Sequence, residues 1–139
     1  MNDPELAING HPLPAALVEA LGSGRWRLPA DPDRLAAVFA HQPNHPSFYG
    51  LEQMRRENAG WLGETYAGYF GSPDSQRPPG DLHPQHSVLI GDLGPDVPFA
   101  LDYRTAPVPR VVFLTDEDEH SRWVQVASSI DELMASLGL

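Results

Sequence analysis

Ser87-Val88-Leu89-Ile90, Phe99-Ala100-Leu101-Asp102-Tyr103-Arg104, Val111-Val112-Phe113-Leu114 and Trp123-Val124-Gln125-Val126 are the runs that decide the fold. Each is short, and each is rich in β-branched, aliphatic or aromatic residues, the pattern of a strand rather than of a helix. The residues between them are turn formers. Gly91-Asp92 ends the first run, Gly94-Pro95-Asp96 makes a turn, Ala106 to Pro109 is a second connection, and Asp116-Glu117-Asp118-Glu119-His120 is a polar turn. From Val97 to Arg104 the residues alternate, with Phe99, Leu101 and Tyr103 on one side and Ala100, Asp102 and Arg104 on the other. Three or four strands joined by short connections favour antiparallel pairing, because a parallel pair needs a long crossover.

The segments on either side read as helices. Downstream, Ser128 or Ser129 caps a final helix with Ile130, Leu133, Met134 and Leu137 on its inner face and Gly138 as its stop. Upstream, Leu13, Leu17, Val18 and Leu21 share one face of a short helix over 13–22, with Pro14 in the first turn and Gly22 as its end. A second helix starts at Asp31, a good N-cap, carries Leu35, Val38 and Phe39, and ends before Pro43. A third is expected from Leu51 to Asn58, closed by Asn58-Ala59-Gly60. Residues 61–71 fit a helix through Trp61, Leu62, Tyr66, Tyr69 and Phe70, but their glycines oppose a long one. Residues 1–12 read as a loose entry segment and 71–85, with four prolines, as a surface loop. The expected architecture is a single α+β domain over 1–139: a largely antiparallel meander sheet with N-terminal helices and a closing C-terminal helix packed on it.

Composition narrows the function. The chain has 139 residues, 41% of them hydrophobic, enough for one core. It has no cysteine, so disulfides, thiolate chemistry and Cys-based zinc sites are excluded. No apolar run is long enough for a bilayer, and the start, Met1-Asn2-Asp3-Pro4-Glu5, lacks the layout of a signal peptide; the cytoplasm is the expected location. All nine basic residues are arginine, against 19 acidic ones, for a net charge of −10. Residues 1–80 hold 9 acids and 6 bases, whereas 81–139 hold 10 and 3. Such a balance opposes nucleic-acid phosphates and anionic lipid and favours encounter with a basic partner.

The order and spacing of Val88-Leu89-Ile90-Gly91-Asp92-Leu93-Gly94-Pro95-Asp96, Pro98 to Arg104, Pro109 to Leu114, Trp123 to Ala127 and the terminal helix ending Leu137-Gly138-Leu139 resemble the SUKH superfamily, the Smi/Knr-like domains of bacteria. Leu13-Pro14, Gly24-Arg25-Trp26 and the stretch from Phe48-Tyr49 to Asn58 share the likeness, which is weakest over 59–86. The resemblance implies an α+β domain that works by binding another protein, with no catalytic residues and no cofactor to carry over. Many bacterial members resemble immunity proteins that neutralise toxins, often nucleases, so the implied partner is a basic toxin domain. A housekeeping scaffold domain without a toxin is the alternative.

Several side chains admit enzymatic readings. Asp92, Asp96 and Asp102 could supply an acid/base pair, but Gly-Asp and Pro-Asp are also turn formers. His41 and His45 are four apart with Pro43 between them, and His83 and His86 form a second pair; a four-histidine metal site would need all of them to converge. No Gly-x-Ser-x-Gly, Walker-type or dinucleotide-loop motif occurs. The residues expected to meet a partner are therefore the acidic run Asp116, Glu117, Asp118 and Glu119, the turn aspartates Asp92 and Asp96, and Trp26, which sits between two arginines and reads either as a packed side chain or as an exposed ledge.

Overall fold

The four runs form the centre of the sheet. In a computed structural model, which describes residues 6–105, 107–115 and 121–139, they are β5 (Ser87–Asp92), β6 (Pro98–Asp102), β7 (Arg110–Thr115) and β8 (Arg122–Ala127). They make an antiparallel meander, as expected, with one irregularity between Leu89 and Gly91 and another between Val111 and Val112. Two-residue edge strands complete six: β3 (Ser47–Phe48) beside β5, and β4 (Pro79–Gly80) beside β8. Gly91 sits where β3, β5 and β6 crowd together. A Cβ there would lie 2.3 Å from the Phe99 ring and 2.7 Å from the Ser47 carbonyl oxygen, so only glycine lets the strands approach this closely.

Consecutive residues of β5, β6 and β7 are buried, so helices or loops cover both faces. On one face, Phe39 of α2 (Pro32–Phe39) packs on Phe99 and Phe113 at ring-centre distances of 5.1 and 5.5 Å. α1 (Ala15–Ser23) and α2 both contact the closing helix α4 (Ile130–Leu137), which lies against β7 and β8. On the other face, Trp61 of α3 (Leu51–Leu62) meets Trp123 of β8, the neighbour of Leu114, with ring centres 6.1 Å apart. Asp31 caps α2 by accepting from the Asp33 N–H, and Ser129 caps α4 by accepting from the Glu132 N–H.

Four sequence expectations need correction. α1 runs through Gly22 and stops at Gly24, whose φ of 79° provides the left-handed cap. α3 does not close at Asn58-Ala59-Gly60 but continues to Leu62, because Trp61 docks in the core and stabilises the last turn. Within the segment expected to be loose, β1 (Ala7–Ile8) and β2 (His11–Pro12) form a hairpin with Ile8 buried. Tyr103 holds it, stacking on His11 and donating to the Pro12 carbonyl at 2.8 Å. In the expected surface loop 71–85, β4 pairs with β8 and Leu82 is fully buried. Proline is compatible with an edge strand, where its missing N–H costs no ladder bond.

Asn58 fastens α3 to the sheet. It is fully buried, its Oδ1 accepts from the Leu89 N–H at 2.8 Å, and its Nδ2 donates to the Leu89 carbonyl at 2.9 Å. The side-chain amide thus occupies the place of a peptide group from a neighbouring strand. Replacement by leucine keeps the volume and strands two buried backbone groups. Asn58→Leu is expected to cost about 2–4 kcal/mol, read as a lower urea midpoint with unchanged slope. A midpoint equal to that of the wild type would show that Asn58 does not clamp α3 to β5.

Candidate functional site

The clamp sets α3 across β5 and leaves a cleft of about 480 Å³ between the end of α3, the segment after it and the β5–β6 turn. α3 contributes Glu57 and, one turn on, Trp61; Glu64 follows just beyond the helix end. The 3-10 turn Ala67–Tyr69 brings Tyr69 to the rim. From the sheet side come Asp92, at the end of β5, and Asp96, in the turn with a φ of 62°. That turn is closed by a Leu93 N–H bond to the Val97 carbonyl at 2.9 Å.

Each aspartate is engaged by a phenol. Tyr49 donates its hydroxyl to Asp92 Oδ2 at 2.8 Å, the Gly94 N–H donates to Asp92 Oδ1 at 3.1 Å, and Tyr69 donates to Asp96 Oδ1. Burial raises the Asp92 carboxyl above its ordinary pKa, against the opposing effect of those two donors. Burial, then the bond to Asp92, raises the Tyr49 phenol; the bond to Asp96, then burial, pushes Tyr69 up to about 12. Both phenols therefore remain protonated donors at neutral pH.

The charge in the cleft is one-sided. Glu57, Glu64, Asp92 and Asp96 line it, together with His45 and no arginine. The ion pairs among the described residues lie elsewhere, joining Arg25 to Glu19, Arg104 to Asp81 and Asp102, Arg110 to Asp102, Arg122 to Asp74 and His83 to Asp81. Uncompensated carboxylates against aromatic walls favour a cationic occupant, since a cleft focuses the field of its own charges.

Asp102, grouped with Asp92 and Asp96 in the enzymatic reading, is not in the cleft. It is fully buried on β6, where Arg104 Nε at 3.0 Å and Arg110 Nε at 2.9 Å hold its two oxygens. Burial pushes its carboxyl up, but the hydrogen bonds from Arg104 and Arg110 outweigh it and hold the group below the usual range. The histidines do not converge either: His45 is at the cleft, His41 packs on Phe113, and His83 and His86 are neighbours with ring centres 5.8 Å apart. Among the described residues, no group of three or more His, Asp or Glu side chains is arranged to hold a metal ion.

Of the residues expected to meet a partner, the structure brings together Asp92 and Asp96. Trp26 is buried, packed against Phe48 at a tilt with ring centres 4.6 Å apart, and its indole N–H donates to the Tyr49 carbonyl at 3.1 Å. It takes the packed alternative and supports the cleft wall from behind. Asp116, Glu117, Asp118 and Glu119 lie outside the described residues. Sequence reading missed Glu57 and Glu64. Their spacing around Trp61, four residues before and three after, was the available signal, but it only has meaning if the helix continues past Gly60.

A helix-covered antiparallel sheet with this cleft defines a small α+β domain of a recognised kind. The sequence profile of the SMI1 / KNR4 family (SUKH-1) matches residues 5–136, and the chain belongs to that family. No curated protein and no solved structure matches the chain. Among the described residues, no helix is long and apolar enough to cross a membrane.

The Asp102 cluster predicts an acid dependence. A carboxylate whose folded pKa is depressed stabilises the fold above its unfolded pKa and loses that contribution as pH falls through the folded value. The side chains of Arg104 and Arg110 are 32% and 16% exposed, so part of the charge is screened. Asp102→Asn is expected to cost about 2–4 kcal/mol at pH 7, with the gap from wild type narrowing below about pH 4. Urea titrations across pH check this; a gap that is constant with pH would contradict it.

Proposed function

We propose that this domain is a non-enzymatic protein-binding module of the immunity type, which binds and neutralises a basic, nuclease-type toxin domain of a bacterial polymorphic toxin system. Membership of the SMI1 / KNR4 family supports a binding module. The observation that carries the reading further is the cleft whose four carboxylates have no cationic partner among the described residues. A nuclease presents arginine and lysine to phosphate, and a rigid array of carboxylates meets the same groups.

The surroundings of the cleft fit protein contact. Leu62 and Tyr66, at 52% and 64% exposure, are large apolar side chains in the segment that forms one wall. Tyrosine is common at interface hot spots, where a rigid ring gives contact area at small entropic cost. The net charge of −10 disfavours nucleic acid and anionic membrane as direct ligands. In this reading the domain acts in the cytoplasm, needs no cofactor, and inhibits by covering the toxin's substrate-binding surface.

The test is co-purification with any nuclease-type toxin domain encoded beside its gene, followed by titration of nuclease activity. Stoichiometric inhibition is expected, with an association rate that falls at least about tenfold between ~0.05 and ~0.5 M salt. Failure to form a tight complex with any such toxin domain would leave the housekeeping scaffold as the better reading.

A further inference from the structure

We infer that the cleft is a socket for an arginine side chain carried on a loop of the partner. The inference rests on the protein-binding reading above and names the group recognised. Its volume of about 480 Å³ exceeds what one side chain fills, so the guanidinium enters with part of its loop.

The chemistry selects the guanidinium. Carboxylates approach from two sides, Glu57 and Glu64 from the α3 side, and Asp92 and Asp96 from the β5–β6 turn. Between them lie Tyr49, Trp61 and Tyr69; the first two are buried and reach the cleft only at an edge, so the half-buried Tyr69 at the rim offers most of the accessible ring. A planar cation with a fork of N–H donors satisfies both features, since it pairs with carboxylate oxygens along its edge and stacks on rings with its face. An ammonium group, compact and strongly hydrated, uses only the charge. A bare metal ion fits poorly, because no described group of three or more ligating side chains converges. A phenol holds one oxygen of each aspartate, which fixes the carboxylates while leaving lone pairs free for an incoming donor. Glu64 is fixed in its turn, accepting from the N–H groups of Thr65 and Tyr66 at 3.0 and 3.1 Å. The socket is thus preorganised, and a bound arginine gains contacts without first ordering the receiving groups.

The test uses three capped tripeptides, acetyl-Gly-Arg-Gly-amide, its lysine counterpart and its citrulline counterpart, titrated into nitrogen-15-labelled protein. The arginine peptide is expected to give saturable shifts at the Trp61 indole and the Gly94 and Val97 amides, with a Kd of about 1–10 mM. Lysine should bind at least about fivefold more weakly, and citrulline not measurably. The variant Asp92→Asn/Asp96→Asn should lose the shifts. Should it not fold, the exposed Glu57→Gln tests the same site with a weakening of at least about threefold. Equal shifts for arginine and lysine, shifts spread over the surface, shifts that survive in the variants, or none at all would overturn the socket. If the double variant still binds and inhibits a toxin domain at wild-type strength, the socket falls and the binding module stands; arginine binding with no toxin partner gives the reverse.

Discussion

A side chain that stands in for a strand is the constraint on which the site depends. β5 is paired along one edge by β6, but on its other edge β3 reaches only Gly91 and Asp92. The rest of that edge must be satisfied without a strand, because buried backbone groups left unpaired are costly. Tyr49 supplies its N–H to the Ile90 carbonyl, and Asn58 supplies both halves of its amide to Leu89. The Asn58 carbonyl in turn accepts from Asn9 of the N-terminal hairpin. One buried asparagine therefore positions three layers: hairpin, helix and sheet.

The cleft follows from that arrangement. With α3 fixed across β5, Glu57 and Trp61 face the turn that carries Asp96. Trp26 holds the Tyr49 carbonyl, and Tyr49 holds Asp92, so the aromatic core is continuous with an acidic group at the surface. The two aspartates of the sheet, Asp102 fully buried and Asp92 half-buried, differ in how their charge is met. Asp102 has two guanidiniums and is held ionised; Asp92 has only neutral donors, and burial works against its charge. A carboxylate kept in a disfavoured state beside an open cleft gains most from an incoming cation, which is what a binding site requires and a structural ion pair does not.

The meander was legible because each strand announces itself locally, through a short apolar run bounded by Gly, Pro or Asp. The caps of α2 and α4 were legible for the same reason, at Asp31, Ser129 and Gly138. What escaped the sequence depends on partners far along the chain. Gly60 looks like a helix end until Trp61 is seen to dock beside Trp123. Pro79 looks like loop until β8 is known to lie alongside it. Asp102 falls opposite Phe99 and Leu101 in the alternating strand, with Arg104 near enough for an ion pair at the strand end; that it is fully buried and shared with Arg110 depends on the cover over both sheet faces. Asp92 and Asp96 read as turn residues; Asp96 is one, and Asp92 is the last residue of β5, just before the turn. Their role in the cleft depends on α3, and so Glu57 and Glu64 stayed hidden with it.

In the proposed complex the cleft side of this domain, and not its helical side, meets the partner. Amide hydrogen exchange of the domain, alone and in complex with the toxin domain proposed as its partner, is the measurement that decides it. Slowed exchange is expected in residues 61–69 and 92–98, with α1 and α4 unchanged. Protection confined to α1 and α4, with the β5–β6 turn exchanging as in the free protein, would contradict it.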